Sequence, residues 1–331
     1  MVVLWIAFLA LIALLLVIDL GVFHKEQHVI SMKESLFWTM VWIVFALLFG
    51  GVIYWVYKEN IFAVNPNGTL PSDALLKYYT GYLIEKSLSL DNIFVIAMIF
   101  SYFSIPEKNQ HGILFWGIIG AVIFRGIMIL LGTALIAKFH WSTYVFGGIL
   151  LYSAFSMMTA RHDNVDYYRN PALRFISKFI PIDWEAKDNS YFTVKEGKRY
   201  ATILFAALVV IEFTDVIFAV DSIPAIFAVT TDPFLVFTSN IFAILGLRNL
   251  YFFLASMMGR FGYVKYSLVF ILIFVGVKMI LVNHYKFPPM VSLVFILGSL
   301  AIGVLASMLA KTKGGEELHS PVHETEEKKN K

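Results

Sequence analysis

Between Ile211 and Pro224 the chain reads Ile-Glu-Phe-Thr-Asp-Val-Ile-Phe-Ala-Val-Asp-Ser-Ile-Pro, which sets Glu212, Asp215 and Asp221 into an otherwise apolar run. A charge at the centre of a spanning helix costs roughly 2.5–3.5 kcal/mol even on the lenient insertion scale, so such acids need water, partners or a bound cation. With 59% hydrophobic and only 15% charged residues over 331 positions, the chain is too apolar for a soluble domain of this length. The expectation is an all-α polytopic membrane helix bundle that encloses a polar site.

Apolar runs of about 20 residues mark nine candidate spans. They lie at about 2–22, 36–57, 75–101, 112–137, 141–159, 200–229, 234–258, 263–283 and 289–310. The first lacks the basic leader and small-residue cleavage pattern of a signal peptide and is expected to be retained. Nine spans put the termini on opposite sides, and the Lys/Arg distribution orients them. With the N-terminus outside, 18 basic residues fall inside, eight of them between Arg161 and Arg199, against Lys58, Lys77, Lys138 and Lys286 outside. The topology is therefore N-out, C-in. The longest connection, 160–199, divides the chain, and Tyr191 to Tyr200 reads as a hairpin around Glu196-Gly197. The tail 311–331, rich in Gly, Glu and Lys, is expected to be disordered, with His319 and His323 as solvated side chains.

A second acidic stretch lies in the third span: Gly81-Tyr-Leu-Ile-Glu-Lys-Ser-Leu-Ser-Leu-Asp-Asn-Ile-Phe-Val95. Like Asp215 to Asp221, Glu85 to Asp91 is an acid, five residues, then Asp followed by a small polar residue and Ile. The third and sixth spans run in opposite directions, and each is followed by a helix with a basic residue, Arg125 and Arg248. This is the pattern of a 3+3 inverted repeat, a recurrent transporter plan built on discontinuous helices. The expected organisation is peripheral helices over 1–74, repeat one over 75–159, the loop over 160–199, repeat two over 200–283, the last span over 284–310 and the tail.

At about 100° per residue, Glu85, Ser89 and Asn92 share a helix face, and Glu212 shares one with Asp215, while Asp221 lies half a turn away. A regular helix cannot aim all these acids at one ion. Pro224 cannot donate to the Val220 carbonyl, and is expected to kink or break the helix so that Asp221 turns inward.

The bland reading is that these acids, with Asp19 in the first span, only pair with Lys86, Arg125, Arg248 and Lys278 to hold the bundle together. Buried pairs stabilise poorly relative to apolar packing, so stability alone explains this density badly. Carboxylates beside Asn92, Asn240, Ser222 and Thr214 form an all-oxygen ligand set, suited to Mn²⁺, Mg²⁺ or Ca²⁺ and also able to carry protons. The chain has no cysteine, no GxxxxGK[ST] phosphate loop and no histidine-based zinc motif inside a span. No cofactor, enzyme activity or nucleic-acid partner is expected. A membrane scaffold or insertion factor is the competing class.

These motifs, with Asp215 to Phe234 and Thr238-Ser-Asn-Ile-Phe-Ala-Ile-Leu-Gly-Leu-Arg248, resemble the TerC family of integral membrane proteins, its Alx-like, alkali-induced branch most of all. The resemblance runs from the first span to about residue 310. It implies a bacterial inner-membrane transporter of the LysE-like superfamily that exports Mn²⁺ from the cytoplasm, with lipid, the manganese ion and protons as partners. It implies no tellurite site despite the family name, and a plant relative is linked to membrane-protein insertion. The matching metal-site positions are Asp91, Asp221, Glu85, Glu212, Asp215, Asn92, Ser222 and Asn240. Asp91 and Asp221 are expected at the centre of the ion site, and Arg125 and Arg248 as gating or ion-pairing residues.

Overall fold

The computed structural model describes residues 2–21, 32–66, 68–139, 141–159, 170–184, 190–195, 197–255, 263–282, 284–285 and 287–309. The expected tail, with His319 and His323, lies outside the described residues, as do the Asp19 and Asp91 side chains.

Helices carry almost all of the described chain: α1 (Val2–Gly21), α2 (Met32–Lys58), α3 (Pro71–Tyr102), α4 (Glu107–Lys138), α5 (Ser142–Thr159), α6 (Pro171–Ile176), α7 (Ile203–Phe227), α8 (Pro233–Leu245), α9 (Leu247–Ala255), α10 (Val264–Leu281) and α11 (Pro289–Leu309). Every apolar run expected to span coincides with one of these helices, or with the pair α8 and α9. By length and composition α2, α4, α7 and α11 can each cross a membrane alone, and α8 with α9 can do so as one bent span.

Local chemistry sets the helix starts. Pro71 opens α3 at the position where its missing N–H costs nothing, with Asp73 in the first, electropositive turn. Asp232 caps α8 by accepting from the Phe234 and Leu235 amides, and Pro233 follows it. The expected hairpin forms as β1 (Phe192–Lys195) and antiparallel β2 (Lys198–Ala201), with Gly197 at φ 75°, a left-handed turn position that glycine takes without strain.

One expectation about helix continuity is corrected, and one break is found that the sequence did not signal. Pro224 does not break the sixth span: α7 continues to Phe227. The ring falls in the last turn, where few hydrogen bonds remain to lose, and the Ala228 amide still donates to the Pro224 carbonyl. The seventh span is the broken one, bent by 42° between α8 and α9 at Gly246. A methyl group at Gly246 would stand 2.9 Å from Trp42 Cβ and 3.2 Å from Lys86 Nζ, so only glycine admits α2 and α3 this close to the break.

Helix α3 packs against α8 and α7, α4 against α7 and α8, and α5 against α10. The apolar interior has two parts. One gathers α1, α2, α8, α10 and the halves of α3, α4 and α7 nearest them; the other gathers α6, α9 and the opposite halves. The change from one to the other falls between Leu88 and Ile93 on α3, between Ile211 and Ala219 on α7, and across Gly246. The acidic residues sit at or next to this junction.

Candidate functional site

The centre of the junction is Arg125 on α4, which is 0% exposed. Its Nε donates to Asp215 Oδ2 at 3.1 Å and its Nη2 to Asp215 Oδ1 at 2.7 Å, a two-point grip on α7. Its Nη1 pairs with Glu85 Oε1 on α3 and reaches Ser222 Oγ at 3.3 Å and Asn240 Oδ1 at 3.4 Å. Asn240 Nδ2 on α8 donates to the other Glu85 oxygen at 3.0 Å. Guanidinium suits this position because its five N–H donors lie in one plane and cannot be deprotonated. Two carboxylates against one guanidinium leave the cluster with one formal negative charge in excess. Four helices are thus tied together through one residue.

Glu212 lies one turn before Asp215 on α7, against α4. A methyl group at Gly120 would stand 2.1 Å from Glu212 Oε1, so the glycine makes room for the carboxyl group. Glu212 Oε2 is buried and makes no hydrogen bond among the described residues. It lines a cavity of about 40 Å³ together with Asn92, Thr214, Asp215 and Arg248, in otherwise apolar walls. That exceeds the roughly 10–15 Å³ one water requires. Arg248, 1% exposed, is the second residue of α9, just after the break.

Asp221 faces another way, as the helical spacing requires, and the uninterrupted α7 leaves it there. Its Oδ1 accepts from Ser153 Oγ on α5 at 2.6 Å. It lines a larger cavity of about 470 Å³ between α3, α5, α7 and α10, shared with Asn92, Ser153, Ser156, Ser222 and Lys265. Asn92 and Phe218 border both cavities. Asn92 therefore stands between the Glu212 and Asp221 chambers, next to Asp91 in sequence. Among the described residues no three histidine or acidic side chains are close enough to hold one ion.

The structure thus brings together Glu85, Asp215, Ser222, Asn240 and Arg125, sets Glu212 and Arg248 beside them, and holds Asp221 in a separate chamber joined through Asn92. Ser153 was not foreseen. A serine in an apolar helix is ordinary, and only its contact with Asp221 distinguishes it.

Comparison with known proteins agrees with the motifs. The profile described as "Integral membrane protein TerC family" matches residues 70–314. Membrane protein STKORF319 of Myxococcus xanthus is 45% identical over 306 residues, covering 92% of both chains. A protein of Escherichia coli strain K12, whose name carries the words "membrane-bound redox modulator Alx", is 43% identical over 301 residues, covering 90% of this chain and 92% of its own. A Rickettsia bellii membrane protein is 42% identical over 307 residues, covering 93% and 97%. No solved structure matches the chain. With the family profile spanning most of its length and relatives this similar over nearly all of it, the chain belongs to the TerC family of integral membrane proteins.

Proposed function

We propose that this protein is a secondary transporter that exports Mn²⁺ from the cytoplasm across the bacterial inner membrane by proton-coupled alternating access. The observation that carries the reading is the place of Arg125, held between Glu85 and Asp215. These are the corresponding first acids of the two acid-x₅-Asp motifs. A fixed guanidinium there partly balances the site while no ion is bound, and an arriving cation competes with it for the same carboxylates.

The packing supports the 3+3 inverted repeat. If α3, α4 and α5 correspond to α7, the α8–α9 pair and α10, exchanging the halves turns the α3–α8 contact into the α7–α4 contact. It maps α5–α10 and α3–α7 onto themselves. All of these contacts are among those described above. The broken α8–α9 span fits the same plan, since irregular backbone at membrane depth is tolerated where protein or a cavity surrounds it. We retain nine spans with N-out, C-in topology, which sets the basic loop 160–199 in the cytoplasm.

Asp91 and Asp221 form the ion site in this reading, reached through the 470 Å³ chamber, with Asn92 and Ser222 as neutral oxygen ligands. Glu85, Glu212 and Asp215 supply further ligands or the coupling proton. Oxygen ligands suit Mn²⁺, and selectivity over Ca²⁺ and Mg²⁺ is part of the test. The redox function in the relatives' name cannot use thiols here, because the chain has no cysteine.

The decisive measurement is Mn²⁺ uptake into inside-out vesicles, with and without a pH gradient, for wild type, Asp91→Asn and Asp221→Asn. Loss of flux in both variants is the expected result. Unchanged flux in both removes the site assignment, and absence of flux in the wild type with intact membrane-protein insertion favours a scaffold.

A further inference from the structure

The break between α8 and α9 exposes the carbonyl end of α8 inside the bundle. The last four carbonyls of a helix have no partner within it, and the helix dipole makes that end electronegative. In transporters built on broken helices such an end commonly coordinates a sodium ion. Here the Lys86 ammonium occupies the place. Its Nζ donates to the Ala243 carbonyl at 3.1 Å and lies 3.2 Å from where a methyl group on Gly246 would stand. Its neighbour Glu85 is committed elsewhere, with both carboxylate oxygens held by Arg125 and Asn240. Two further polar groups stand one turn away along the chain. Ser89 on α3 and Asn249 on α9 are each 0% exposed, and neither the Ser89 hydroxyl nor the Asn249 amide group makes a hydrogen bond among the described residues.

We propose that the break in the α8–α9 span is a monovalent-cation site filled by the protein's own Lys86 ammonium, which positions the broken helix and makes transport independent of sodium. A tethered cation supplies the charge that a free ion would otherwise bring, and it cannot diffuse away when the protein changes state. Truncating the side chain empties the site without removing the Ala243 carbonyl. A small free cation can then take its place.

The test uses the purified full-length chain in detergent and, separately, the same protein in vesicles. In choline buffer Lys86→Ala is expected to melt several degrees below wild type. Sodium or n-butylammonium chloride at equal ionic strength should restore it while leaving wild type unmoved. In vesicles the same variant should lose Mn²⁺ flux on the order of tenfold in choline, because a charge at the helix end is removed, and regain it with the added cation. Lys86→Gln, which keeps a donor for the Ala243 carbonyl but no charge, should fold and still lose flux.

The proposal is overturned if Lys86→Ala matches wild type in choline, or if no cation raises its melting temperature. Sodium-dependent melting of wild type, or wild-type flux in Lys86→Gln, overturns it equally. The flux measurement rests on the transport reading. The melting measurement contains no manganese, so failure of one is distinguishable from failure of the other.

Discussion

Arg125 and Asp215 meet as a fork on a fork: Nε to Oδ2 at 3.1 Å and Nη2 to Oδ1 at 2.7 Å, from a side chain with no exposed surface. Lysine cannot reproduce that two-point geometry. Arg125→Leu, which leaves Glu85 and Asp215 without their cation, is expected to cost about 3–5 kcal/mol of stability. Arg125→Lys should fall between it and wild type. Melting in detergent checks the order, and Asp215→Leu added to Arg125→Leu should recover part of the loss, because the two residues are in direct contact.

Two glycines one turn apart on α4 separate space from position. A methyl at Gly120 meets the Glu212 carboxyl group at 2.1–2.3 Å, whereas at Gly117 the nearest atoms are at 3.7 and 4.0 Å, ordinary contact. The Glu212 head is the far end of a flexible side chain and can swing away, so Gly120→Ala should cost no more than the about 1–3 kcal/mol typical of overpacking. It should nevertheless lower Mn²⁺ flux several-fold by displacing that carboxyl group. Gly117→Ala should change neither quantity.

Ser153 presents its hydroxyl to Asp221 at 2.6 Å. A hydrogen bond to a carboxylate contributes about 1.5–3 kcal/mol, and removing it frees Asp221 to leave the orientation in which α5 holds it. Ser153→Ala should raise the Mn²⁺ concentration needed for half-maximal flux, while Ser153→Thr, which keeps the hydroxyl, stays nearer wild type. Equal values in all three proteins would remove Ser153 from the site.

Just past the C-terminal end of α7, Tyr57 on α2 donates to Asp232 Oδ2 at 2.6 Å, and Asp232 also caps α8. Tyr57→Phe removes one hydrogen bond to a carboxylate, about 1.5–3 kcal/mol. Asp232→Ala removes that bond together with the cap, adding about 0.5–2 kcal/mol. Melting temperatures should therefore fall in the order wild type, Tyr57→Phe, Asp232→Ala.

Apolar run length was enough to locate the helices, because a membrane core permits few other ways to satisfy the backbone. The hairpin was legible from Glu196-Gly197 for a similarly local reason. Breaks were not. Pro224 looks disruptive in sequence but falls in a last turn, while Gly246 looks ordinary in an apolar run but lies where Trp42 and Lys86 close in. That information belongs to the partner helices. For the same reason the acids were visible as anomalies, but their partners were not. Asp215 and Arg125 are 90 residues apart, and Asp221 and Ser153 are 68 apart, so only the packed bundle shows that one acid meets a guanidinium and the other a hydroxyl.

The hairpin ends where α7 begins. Ala201 closes β2, donates to the Pro181 carbonyl and accepts from the Asp183 amide. The next residue, Thr202, is held by its amide to Tyr191 and by its hydroxyl to Ser190, and Ile203 is already helical. There is no slack between the two elements. The hairpin is in effect a handle on the helix that carries Glu212, Asp215 and Asp221, and any load that tilts it is delivered to those three carboxyl groups as rotation or piston motion of α7.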